Sequence, residues 1–177
     1  MRTLAERIDA SIDARGCDLE AVLFGTGEPE AVAAILEEFL ATELAPVVLA
    51  RHYAASVGTV AIVDLADGTR AVLKVHRWNT SLTRLSAVQQ VQIRAREHAI
   101  PAPRPLLEPT PLLGGIATVE EYLPGEIRSA RAPGVRVVLA SELQRIVEIA
   151  RALVGVVDVE LEPELRAGDP LGASRTT

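Results

Sequence analysis

The hydrophobic period of this chain first changes near Pro46-Val47, from about 3.6 residues to 2. Before that point Thr3 and Glu6 have capping-box spacing, and Leu4, Ile8 and Ile12 recur at helical intervals until Gly16. Pro29 opens a second helix, in which Val32, Ile35, Leu36, Phe39 and Leu40 form an apolar stripe opposite Glu30, Glu37 and Glu38. After it, Val47 to Ala54, Thr59 to Ala66 and Thr69 to His76 alternate as three strands, joined through Ala55-Ser56-Val57-Gly58 and an Asp67-Gly68 turn. A helical stripe must pack on something, and the following sheet is the simplest partner, so the chain reads as α+β.

The pattern continues with a helix over about Thr83 to His98, carrying Leu85, Val88 and Gln92 on one face. Pro101, Pro103 and Pro105 then force an extended connection. Leu106-Leu107 and Ile116 to Tyr122 read as two more strands around a turn at Pro111 to Gly115. Past a Pro/Gly-marked linker, Val135 to Val157 is helical, with Leu139, Leu143, Ile146, Ile149, Ala150 and Leu153 on its stripe. The expected organisation is a helical segment over 1–46, a five-stranded antiparallel lobe over 47–127, and a linker, helix and frayed tail over 128–177.

Composition narrows the function. Aromatic residues are only 3% of the chain and the net charge is −6, so neither a base-stacking platform nor a cationic phosphate-backbone groove is expected, and nucleic acid is a poor partner. Cys17 is alone, which fits a reducing compartment, the cytoplasm by default. The acidic N-terminal stretch does not read as a signal peptide, and no apolar run approaches the roughly 20 residues of a membrane helix, so no membrane partner is expected. His52, His76 and His98 lack the spacing of a zinc site.

Lys74 is the only lysine; the other basic residues are all arginine. A compact, strongly hydrated ammonium does a different job from a planar guanidinium fork, which suggests a point-charge role for the one lysine retained. A solvated strand lysine is the plainer alternative.

Three antiparallel strands, a helix and two more strands, with Ile100-Pro101-Ala102-Pro103-Arg104-Pro105-Leu106 and then Val119-Glu120-Glu121-Tyr122-Leu123-Pro124-Gly125, resemble the small N-terminal lobe of the aminoglycoside phosphotransferase family, small-molecule kinases with a protein-kinase-like fold. The resemblance covers about Val47 to Gly125 and, loosely, Ser141 to Leu165. It implies ATP and magnesium as cofactors and transfer to a small-molecule hydroxyl. It also implies that Lys74 contacts the nucleotide phosphates and that Val72, on the same strand face, walls the adenine site. Ser56 and Gly58 fall where the family's phosphate-covering loop lies, although a lone glycine there reads equally well as a plain hairpin residue. The Glu121 carbonyl and the Leu123 N–H would face adenine.

Two departures accompany the resemblance. The helix glutamate that aims the family's lysine falls near Gln89 or Gln90, both amides. No His-Gly-Asp or His-Arg-Asp loop follows, and the nearest echo is Asp169 with Ser174. No catalytic or metal residue is therefore assigned, and the expectation is a truncated phosphotransferase, impaired or inactive alone. The alternative is a non-catalytic, pseudokinase-like interaction module. In either case the uncovered lobe face, expected near Val72, Val119 and the C-terminal helix, favours self-association or a second protein chain.

Overall fold

Thr3 and Glu6 close the capping box foreseen from their spacing: the Thr3 N–H donates to Glu6 Oε2 at 2.7 Å and the Glu6 N–H to Thr3 Oγ1 at 3.2 Å. They start helix α1, Leu4–Arg15. A computed structural model of the chain describes residues 2–15, 18–77, 79–125 and 129–154. The expectations for Cys17, for the helix end at Val157, and for Asp169 and Ser174 lie outside the described residues. A short helix α2, Asp18–Phe24, follows α1 and was not expected. Pro29 occupies the first turn of α3, Pro29–Glu43, whose Val32, Ala33, Leu36, Phe39 and Leu40 are buried.

Five strands make one antiparallel sheet: β1 Val47–Ala55, β2 Gly58–Leu65, β3 Arg70–Arg77, β4 Pro105–Leu112 and β5 Gly115–Glu121, in the order β1-β2-β3-β5-β4. The helix α4, Leu82–Glu97, spans the link from β3 to β4, and Ser81 caps it by accepting from the Arg84 N–H. The β2–β3 hairpin turns on Gly68, whose φ of +86° disfavours any side chain, while Asp67 Oδ1 accepts from the Thr69 N–H. β4 begins at Pro105 and is longer than the two residues read from the sequence, because Glu108 to Leu112 continue the strand.

Strand alternation gives the sheet two unlike faces. Ala61, Val63, Leu65, Ala71, Leu73, Val75, Ala117 and Val119 are buried and join Leu4, Ile8, Leu23, Leu36 and Leu40 of the three N-terminal helices in one core. Each fully buried leucine or valine there contributes about 1.5–3 kcal/mol of transfer free energy. Tyr53 of β1 reaches into this layer, where its hydroxyl donates to Glu20 Oε1 of α2 at 2.9 Å. The β4–β5 turn is tied to α2, since the Gly114 N–H donates to the Leu23 carbonyl and a Cβ at Gly114 would lie 2.6 Å from the Val22 carbonyl oxygen. Val119, expected on the uncovered face, is instead fully buried in this core. The sequence reading did not fix which strand phase the N-terminal helices would cover.

The opposite face is covered at its β4–β5 side by α4. The α4 stripe is rotated from the one expected: Leu85, Gln89 and Ala95 are buried, whereas Val88 is exposed. Gln89 turns inward because its Nε2 donates to the Leu107 carbonyl of β4 at 2.8 Å. The last helix, α5, Pro133–Val154, packs Ile146 and Ile149 on Ala95, Ile100 and Ala102. Of its other expected stripe residues Ala150 is half-buried, whereas Leu139 and Leu143 stay exposed along with Val137 and Val138. Beside Ile146, Arg145 Nη2 donates to the His98 carbonyl at the end of α4, at 2.7 Å.

Candidate functional site

Cross-strand partners in an antiparallel sheet project to the same side. Val60, Ile62 and Asp64 of β2 lie opposite Lys74, Val72 and Arg70 of β3, and Val72, Lys74 and His76 lie opposite Glu120, Thr118 and Ile116 of β5. These residues form the face that the N-terminal helices leave uncovered. Lys74 stands near its middle, with Val72 two residues away, both half-buried. The pairing expected from the sequence thus holds for these two.

The Lys74 ammonium forms an ion pair with Glu120, reaching diagonally past its direct partner Thr118. Its side chain is 34% exposed and that of Glu120 11%. The second carboxylate oxygen of Glu120 accepts from Gln92 Nε2 of α4 at 3.0 Å. The lysine is therefore aimed by a carboxylate from the neighbouring strand, and that carboxylate is fixed by an amide from the helix. The positions expected to aim it do otherwise: Gln89 bonds β4, and Gln90 is exposed.

Beside the pair, His76 Nε2 and the Thr118 hydroxyl share a hydrogen bond of 3.0 Å. Burial and the adjacent Lys74 charge push the His76 imidazolium below the ordinary histidine range, with Glu120 opposing them. At the far end of the face, Asp64 bonds Arg51 Nε at 2.8 Å and Arg70 Nε at 2.7 Å. Those two guanidinium groups hold its carboxyl well below the usual carboxylate range. Arg70 also lies over the Tyr122 ring, 5.6 Å from its centre. This end is a surface cluster in which two guanidinium groups share one carboxylate, one positive charge in excess.

The other expected residues sit at the margins of the face. Gly58 is opposite His76, two residues along β2 from the partner of Lys74, so the β1–β2 turn borders the site. A Cβ at Gly58 would come within 2.5 Å of the Val75 carbonyl oxygen, so strand approach alone demands glycine there. Ser56 is exposed, and its N–H donates to the Gly58 carbonyl at 2.9 Å. Glu121 is out of phase with Lys74: it lies opposite Ala71, its N–H donates to the Arg104 carbonyl, and its carboxylate meets Arg104 Nε at 3.2 Å. Leu123 is exposed past the end of β5.

No protein-family model matches the chain, and no curated protein matches it. What the face can do rests on its own chemistry. An ammonium has three donors, and Glu120 takes one, leaving two for an anion arriving from the open side. No group of three His, Cys, Asp or Glu side chains able to hold a metal ion occurs among the described residues. No helix among them is long and apolar enough to cross a membrane. Concavities of about 260 and 320 Å³ lie elsewhere, along α1 and along α3.

Glu120, Gln92, His76 and Thr118 were not singled out from the sequence. The available signal was the phase of Ile116-Ala117-Thr118-Val119-Glu120, where Thr118 and Glu120 are the polar side chains of one strand face. Reading their partner required the β3–β5 register.

Proposed function

We propose that this chain is the nucleotide-binding half of a kinase-like phosphotransferase, in which Lys74 holds the α- and β-phosphates of ATP and the acceptor is a small-molecule hydroxyl. The observation that carries this reading is the Lys74–Glu120–Gln92 arrangement on the uncovered sheet face. Ordering a lysine side chain on binding costs about 0.5–1.5 kcal/mol, and a lysine already held by a fixed carboxylate has lost that freedom beforehand. Strand order β1-β2-β3-β5-β4 with a helix after β3 supports the same reading, as the element order of a kinase small lobe. Half-buried Val60, Ile62 and Val72 beside the lysine offer an apolar surface to the adenine ring.

Magnesium arrives on the nucleotide in this account. Transition-state charge in phosphoryl transfer is stabilised chiefly by metal ions and positioned polar groups, so turnover needs an Asp, an Asn and a magnesium-holding Asp from a further chain or domain. Calorimetric titration of Mg-ATP tests the reading: wild type binds, and Lys74→Met binds at least about tenfold more weakly, the loss of one charged hydrogen bond. Equal affinities would remove the phosphate role.

A second reading, a non-catalytic interaction module that keeps the lobe as a scaffold, is favoured by the exposed Val137, Val138, Leu139 and Leu143 of α5. It predicts association without any response to nucleotide.

A further inference from the structure

On the side of the molecule where α1 meets β1, a concavity of about 260 Å³ is lined by Arg2, Arg7, Ala10, Ser11, His52 and Tyr53. In a chain of net charge −6 this lining is unusual, because it holds two arginines, a histidine and two hydroxyls and no carboxylate, the Tyr53 hydroxyl being turned inward to Glu20. The nearby acid Glu6 is turned back onto the Thr3 N–H, where it completes the helix cap. Arg7 is half-buried and anchored, its Nε donating to the Ala50 carbonyl of β1 at 2.7 Å. Anchoring through Nε fixes the plane of the guanidinium while leaving donors on both terminal nitrogens. Arg2 and His52 are exposed, on the loop before α1 and on β1, so the cationic groups come from separate elements.

We propose that this concavity binds the phosphate group of a small phosphorylated metabolite. A planar guanidinium meets two phosphate oxygens at once, which favours arginine over other cations for this group. Ser11 and His52 supply further donors from the helix and strand that flank Arg7. The size suits the phosphate with a small organic body and is below the 300–1,000 Å³ of common drug-sized ligand pockets. The site lies at the β1 edge of the sheet, where Tyr53 is on the α1 side and His52 pairs with Ile62 on the Lys74 side, and it is separated from Lys74 on β3 by β2.

Amide-resolved NMR titration with inorganic phosphate, at ionic strength held constant with chloride, tests the proposal on the full chain. Saturable shifts centred on Arg7, Ser11 and His52 are expected, with the Lys74 face unaffected. Arg7→Ala removes the anchor to Ala50 and can perturb folding, so the deciding variants are the exposed Arg2→Gln and His52→Gln. Losing a charged hydrogen-bond donor is expected to weaken phosphate binding by about tenfold in Arg2→Gln and measurably in His52→Gln. Shifts that chloride reproduces, binding unchanged in both variants, or phosphate shifts confined to the Lys74 face would overturn it.

Discussion

Replacing Lys74 by methionine keeps the aliphatic stem and deletes the ammonium, leaving Glu120 with Gln92 as its remaining described side-chain partner. Breaking a fully buried ion pair costs about 3–5 kcal/mol, whereas an exposed pair contributes about 0–1 kcal/mol. Here the carboxylate side chain is 11% exposed and the lysine 34%, so the pair lies between the limits and about 2 kcal/mol is expected. In a chain of this length that is a fall in Tm of about 4–8 °C. Urea unfolding of wild type, Lys74→Met, Glu120→Gln and the double variant measures both the loss and the coupling. The double variant should lose less than the sum of the two singles by about 1–2 kcal/mol, since once the lysine is gone the carboxylate charge is a liability. A loss below about 0.5 kcal/mol in Lys74→Met, or strict additivity, would refute the claim that Glu120 aims the lysine.

Three further outcomes follow from particular contacts. Gly58→Ala brings a methyl group to 2.5 Å from the Val75 carbonyl oxygen, a backbone atom, so a loss of about 1–3 kcal/mol in urea unfolding is expected, against almost none for the exposed Ser56→Ala. His76 is pushed below its ordinary value of 6.5, so the unfolded chain takes up a proton more readily than the folded one, and stability should fall as pH drops through about 6.5; His76→Gln should flatten that limb of the thermal-stability profile. Sedimentation at tens of micromolar should show self-association through the exposed α5 stripe, reduced by Leu143→Glu, and a strictly monomeric wild type would count against it.

Most elements were legible because their signals are local. The Thr3–Glu6 cap, Pro29, the Asp67-Gly68 turn and the alternation of β2 and β3 need only near neighbours, and each is present as read, whereas the alternation of β1 is broken by register shifts at Val47/Leu49 and Ala50/His52. α2 was missed because it has only 7 residues, about two turns, too few for periodicity to emerge beside Gly16. The rotation of α4 was hidden for another reason. Gln89 is buried through a hydrogen bond to a carbonyl 18 residues away, and hydrophobicity does not report such a bond. The site was half legible: Lys74 stood out by its rarity, but its partner depends on the pairing of β3 with β5, 46 residues apart.

The central claim is that the uncovered sheet face around Lys74 receives a nucleotide. Amide-resolved NMR of the chain titrated with Mg-ATP tests it most directly. The account predicts saturable shifts at Val60, Val72, Lys74, Thr118 and Glu120, lost in Lys74→Met. Absence of shifts at those residues up to millimolar nucleotide, or shifts there that survive in Lys74→Met, would contradict it.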